Sequence, residues 1–215
     1  MTKKQRAAEA VRLLKERYPD ALCSLDYSEP FQLLVSVRLA AQCTDARVNL
    51  VTPALFERFK TVKDFAAASP EEVEPYIRSC GFFRAKARDI VGAAKAITER
   101  FSGEIPRDMD TLLTLPGVGR KTANLVCGDL YNMPGAVVAD THCIRISNRL
   151  GLANSKDPHK VELQLRPLLP PDESNDFCHR LVLFGRDICD ARKPLCGECP
   201  LANICVSAPK TAEKT

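Results

Sequence analysis

Apolar residues recur at spacings of three and four along nearly the whole chain. Val48, Val51, Leu55 and Phe59 share one helical face, as do Ala87, Ile90, Val91, Ala94, Ile97 and Phe101, and near the start Val11, Leu14 and Tyr18 do the same. Each stripe is a face to be buried, so the pattern predicts a succession of amphipathic helices. Start signals fall in phase with the stripes. Ser69-Pro70-Glu71-Glu72 supplies a cap, a first-turn proline and a capping-box acid, and Asp157-Pro158 opens a helix in the same way. Gly81, Gly103 and Gly151 are the matching stops. The one β-leaning stretch, Gly135 to Ala139, has no partner strand, so a sheet has nowhere to form. The fold class is all-α.

With 215 residues, 45% of them apolar, the chain is long enough for one large or two small domains. The turn Met133-Pro134-Gly135 is the best internal break, and the tail after Cys205 is the segment expected to fray. No apolar run approaches the roughly 20 residues of a membrane span, which predicts a soluble chain, and the basic N-terminus lacks an apolar targeting core and reads as a helix. Thirty-one Lys and Arg against 27 Asp and Glu give a net charge of +4, which permits a polyanionic partner without demanding one.

Ten cysteines sharpen the picture. Cys23, Cys43, Cys80, Cys127, Cys143 and Cys178 stand singly among apolar residues and read as small core side chains. Cys189, Cys196, Cys199 and Cys205 instead form a C-x6-C-x2-C-x5-C array. Zinc knuckles use two close pairs, and only Cys196 and Cys199 make one, so the compact loop suits a 4Fe-4S cluster better than zinc. The array encloses Arg192 and Lys193, two adjacent cations that either touch phosphates or form a solvated face.

Residues 112–126, LLTLPGVGRKTANLV, read as a helix end, a turn containing Gly117 and Gly119, and a new helix with Arg120, Lys121 and Thr122 in its first turn. Such glycines let backbone meet a ligand closely, and the N–H groups of a helix start attract phosphate. A Walker loop is excluded, because Arg120 intervenes between Gly119 and Lys121 and the four-residue gap is missing. A helix-hairpin-helix gripping a DNA backbone fits every position. Lys121, at the positive helix end beside Arg120, is pushed toward the neutral, nucleophilic amine; alternatively it only neutralises phosphate. Asp140 opens another helix 19 residues on, as an N-cap and as a carboxylate that could serve Lys121 if both helix starts face one groove. His142 could join them or be surface decoration.

LPGVGRKTA, Asp140-Thr141-His142 and the cysteine array together resemble the endonuclease III family of bifunctional DNA glycosylases, over about Leu22 to Cys205. The resemblance implies a six-helix barrel over residues 23–134 and an iron-sulfur domain built jointly from 1–22 and 135–215. It implies base-excision repair of oxidised pyrimidines in double-stranded DNA. Lys121 would attack C1′ of a flipped nucleotide, Asp140 would stabilise the sugar cation, and β-elimination would follow. The four cysteines would hold a 4Fe-4S cluster. Gln42 would fill the gap left by the flipped base, Asp45 would lie near the site, and Phe82 stands where close bacterial relatives carry a leucine wedge. The DNA contacts would be Gln42, Asp45, Phe82, Gly117, Gly119, Arg120, Thr122, His142, Arg192 and Lys193. No membrane is implied; the default is a monomer in the bacterial cytoplasm, on the nucleoid.

Two rivals share these features. The mismatched-adenine glycosylase branch lacks a lysine at the position of Lys121 and has a glutamate where this chain has Val37. A non-catalytic DNA-binding or electron-carrying module would need Lys121 and Asp140 only for their charge.

Overall fold

The computed structural model describes residues 1–209; the last six, and with them the end of the tail expected to fray, lie outside the described residues. Eleven α-helices are found among the described residues, with short 3-10 turns and no strand. They are α1 (Lys3–Arg17), α2 (Pro30–Ala40), α3 (Asp45–Arg58), α4 (Val62–Ala67), α5 (Pro70–Ile77), α6 (Phe83–Phe101), α7 (Met109–Leu112), α8 (Arg120–Tyr131), α9 (Thr141–Arg149), α10 (Pro158–Leu165) and α11 (Ser174–Asp187). The expected caps are in place: Ser69 forms a capping box with Glu72, and the Asp157 side chain accepts from the Lys160 N–H. No described helix is long and apolar enough to cross a membrane. The chain packs as two units, one continuous over Cys23–Tyr131, the other split between Met1–Leu22 and the chain from Asn132 onward.

In the continuous unit α2 is the central rod. Phe31, Leu33, Leu34, Val35, Val37 and Leu39 are all buried, so the helix is covered nearly all round, each such side chain contributing about 1.5–3 kcal/mol. It packs on α3, α6 and α8, while α6 also covers α4 and α5. Phe31, Phe59 and Phe65 fill one end, their ring centroids 5.0 and 5.4 Å apart.

In the split unit α1 lays Ala7, Ala10, Val11 and Leu14 against α11. Arg180, only 2% exposed, is neutralised there by Glu173 at 2.6 Å and Asp176 at 3.1 Å; Lys15 of α1 also pairs with Glu173. The β-leaning stretch becomes buried extended chain, with Val137 at 0% exposure and no ladder partner, and it delivers the backbone to Asp140.

The six single cysteines divide. Cys80, Cys127, Cys143 and Cys178 are core residues as expected, but Cys23 and Cys43 are only half-buried, a correction that periodicity could not supply because both lie in loops between helices.

Candidate nucleic-acid interface and cluster site

The hairpin of the continuous unit joins α7, which is only four residues long, to α8. Between them the chain turns through Leu115, whose carbonyl accepts from the Val118 N–H at 3.2 Å. The two glycines do different things. Gly117 has φ +72°, and a Cβ there would lie 2.7 Å from Asp89 and 2.9 Å from Arg38, which themselves pair at 2.6 Å. Its missing side chain therefore serves internal packing rather than close approach of a ligand. A Cβ on Gly119 would meet nothing within 4 Å, so that backbone faces open space at the start of α8. Lys121 is exposed in the first turn of α8, and Arg120 and Thr122 are half-buried beside it. Open backbone, the N–H groups of a helix start and two cations make this a place for a phosphate.

Three non-glycine residues of the same unit lie in the left-handed region, Ser102 at the end of α6 and two in loops. Gln42, past the end of α2, has φ +56° and is exposed; Phe82, between Gly81 and α6, has φ +47° and is 70% exposed. A bulky residue there costs roughly 1–2 kcal/mol. An apolar ring held outward at that cost is the pattern of a functional site. Gln42 is thus not the ordinary helix residue that its sequence surroundings allowed, and Phe82 is not core. Thr44 caps α3, accepting from the Arg47 N–H, and Asp45 takes the first helical position with Ser24 Oγ donating to it at 2.6 Å.

In the split unit Asp140 caps α9, its Oδ1 accepting from the Cys143 N–H at 2.7 Å. The cap bond fixes the carboxylate at the positive helix end. His142, half-buried, lies 3.1 Å from Arg145 Nη2 through Nδ1, an internal partner for a residue expected at a DNA surface.

The cysteine array follows α11. Cys189, Cys196, Cys199 and Cys205 line one cavity of about 250 Å³, floored by Ile146 and Phe184. No three of the described His, Cys, Asp and Glu side chains are placed to hold a single metal ion; the thiols surround a space instead. Four thiols around a volume far larger than one ion fit an iron-sulfur cluster. Burial pushes the Cys199 thiol up, and the other three cysteines add to it, so iron must hold it as thiolate. Arg192 and Lys193 are exposed on the intervening loop, where both backbone N–H groups donate to Asp190 Oδ1, at 2.7 and 2.9 Å.

Residues that pattern reading missed hold this arrangement together. Arg149, at the end of α9, donates to Cys189 Sγ at 3.3 Å and to the carbonyls of Asp190 and Ala191 at 2.7 and 2.8 Å. Arg145, one turn earlier, reaches the Cys189 carbonyl at 3.0 Å. Their four-residue spacing on the helix that Asp140 opens was the available signal. Arg38 and Asp89, which bracket Gly117, carried none.

Comparison with known proteins agrees over almost the full length. Residues 35–171 match the HhH-GPD superfamily base excision DNA repair protein family, and residues 189–205 match the iron-sulfur binding domain of endonuclease III. Endonuclease III of Synechocystis sp. is 51% identical over 207 residues, 96% of this chain and 94% of its own. Endonuclease III of Escherichia coli K12 is 37% identical over 202 residues, 94% of this chain and 95% of its own. A trapped endonuclease III–DNA covalent intermediate superposes with a TM-score of 0.89 at 43% identity, covering 96% of this chain and 97% of that one.

Proposed function

The chain belongs to the endonuclease III family of HhH-GPD base excision repair proteins, and from that premise we propose that it excises oxidised pyrimidines from duplex DNA and then cleaves the strand at the abasic site. The observation that carries the chemistry is an exposed lysine in the first turn of α8, directly after a hairpin whose Gly119 backbone is open to a phosphate. A 43%-identical relative has been trapped in covalent union with DNA, as an amine nucleophile requires.

The target nucleotide leaves the stack, and Gln42 and Phe82 occupy what it vacates. The Lys121 amine attacks C1′ as the C1′–N bond breaks and the base departs with a proton. The Asp140 carboxylate, held at its helix start, offsets the positive charge that develops on the sugar. Ring opening gives a Schiff base; loss of the 2′ proton expels the 3′ phosphate, and water releases Lys121. Asp45 lies near this chemistry, while Gly119, Arg120, Thr122, His142, Arg192 and Lys193 seat the backbone and Gly117 closes the turn that presents the hairpin to it. Cys189, Cys196, Cys199 and Cys205 hold a 4Fe-4S cluster, whose four iron-thiolate bonds cross-link the loop carrying Arg192 and Lys193. One chain suffices, acting on cytoplasmic, nucleoid DNA.

The test is incubation with duplexes carrying thymine glycol, an abasic site, or adenine opposite 8-oxoguanine, with and without borohydride. Borohydride should trap an adduct on the first two, and Lys121→Gln should abolish trapping while leaving much of the binding. Trapping that survives in that variant, or selective release of adenine, overturns the assignment.

A further inference from the structure

Two cysteines flank the two strained loops. Cys43 follows Gln42, and Cys80 precedes Gly81 and Phe82. Their thiols lie close enough for Cys43 to raise the Cys80 thiol. Buried Lys86 of α6 sets that approach independently: its Nζ donates to the Leu39 carbonyl at 2.7 Å and to the Cys80 carbonyl at 2.5 Å, so the feet of both loops meet on one nitrogen. Lys86 is 1% exposed, and such a buried ammonium persists only with partners of this kind.

The pair is asymmetric toward solvent. Cys80 is 1% exposed, whereas Cys43 is half-buried and can be reached from outside. A second thiol pair, Cys143 and Cys178, is also in contact, but at 0% and 2% exposure it is sealed in the core. Only the first pair combines a reachable thiol with an adjacent resolving thiol, the arrangement that favours disulfide formation. Burial first, and Cys43 next, push the Cys80 thiol up to about 11, against the opposing charges of Lys86 and Arg47. Cys80 is therefore held as a thiol, which leaves the more exposed Cys43 as the sulfur that meets an oxidant first.

We propose that Cys43 and Cys80 form a reversible disulfide when the protein meets hydrogen peroxide, stapling the Gln42 loop to the Phe82 loop and withdrawing the protein from lesion DNA. Cys43 sulfur attacks peroxide, taking one oxygen as sulfenic acid and releasing water. Cys80 sulfur then attacks the Cys43 sulfur; its proton leaves with the hydroxyl as a second water, and the S–S bond forms. The two thiols supply the two electrons that peroxide accepts. The cross-link lies one residue from Gln42 and two from Phe82, and it holds the Cα atoms about 4.4–6.8 Å apart. Loops that must enter the duplex around a flipped nucleotide are then tied at their feet. The effect on DNA rests on the proposed function; the disulfide does not.

The experiment uses the cluster-containing protein, wild-type and Cys43→Ser side by side, titrated with peroxide. Cys43→Ser reports whatever peroxide does at the cluster. Wild-type protein should lose two mass units and yield a tryptic species joining residues 39–47 to 79–84, reversed by dithiothreitol and missing from Cys43→Ser. Its affinity for an abasic-analogue duplex should fall at least tenfold relative to the identically treated variant, and return on reduction. A Cys43 sulfinic acid without that linked species overturns the disulfide. A linked species with unchanged affinity overturns the switch. If the reduced protein acts on none of the lesion duplexes, the function fails while the disulfide is still scored by mass.

Discussion

At the scale of single residues, the side chains assigned to chemistry each satisfy a structural demand as well, and the variants that separate the two roles are the informative ones. Asp140 caps α9, and asparagine caps as well as aspartate. Asp140→Asn should therefore keep the melting temperature while slowing base release by roughly a hundredfold, as measured in single-turnover assays. Phe82 is held left-handed with its ring exposed, so its removal relieves strain instead of opening a cavity. Phe82→Gly should melt higher than Phe82→Ala by about 1 kcal/mol, because glycine has no Cβ penalty there. Both should bind an abasic duplex roughly ten- to a hundredfold more weakly, if the ring stacks on a base. A Phe82→Ala protein that melts far lower with unchanged binding would make the residue core.

At the scale of elements, the sequence was most legible where the determinant is local. Ser69, Asp157 and Asp140 could be read as helix starts because a cap involves residues three apart. Thr44 caps α3 although Asp45 beside it is equally competent, because only the entry angle of the chain chooses between them. Tertiary determinants left no trace in the pattern: Lys86 sits on the apolar stripe of α6 yet is buried on two carbonyls, and Arg149 reaches forty residues ahead to Cys189. That clamp makes the cluster loop and α9 one mechanical piece. Cys199→Ser should bleach the visible absorption, lower iron from about four per chain, and weaken binding to undamaged DNA, since Arg192 and Lys193 lose their ligand-pinned frame. Stoichiometric zinc with no visible band in the parent protein would contradict the cluster.

At the scale of the whole molecule, the split unit depends on a charge junction between distant segments. Lys15 first, then Arg180, holds the Glu173 carboxyl below the usual carboxylate range. A depressed carboxyl contributes stability that is present above its unfolded value of about 4.3 and is lost as pH falls through its lower folded value. Glu173→Gln should accordingly destabilise by about 1–3 kcal/mol at neutral pH, with Arg180 left short of a partner, and the difference should shrink as pH falls below the unfolded value and close once it passes the lower folded one. Melting curves of both proteins across that range decide it. The same junction sets a timetable for synthesis. The apolar face of α1 leaves the ribosome long before its cover, α11, which is made more than 150 residues later, a delay of roughly ten to thirty seconds at common elongation rates. The continuous unit, by contrast, has all its strand of chain in hand by Tyr131. Nascent chains arrested before residue 174 should therefore carry a protease-resistant middle and an α1 whose apolar face is still uncovered.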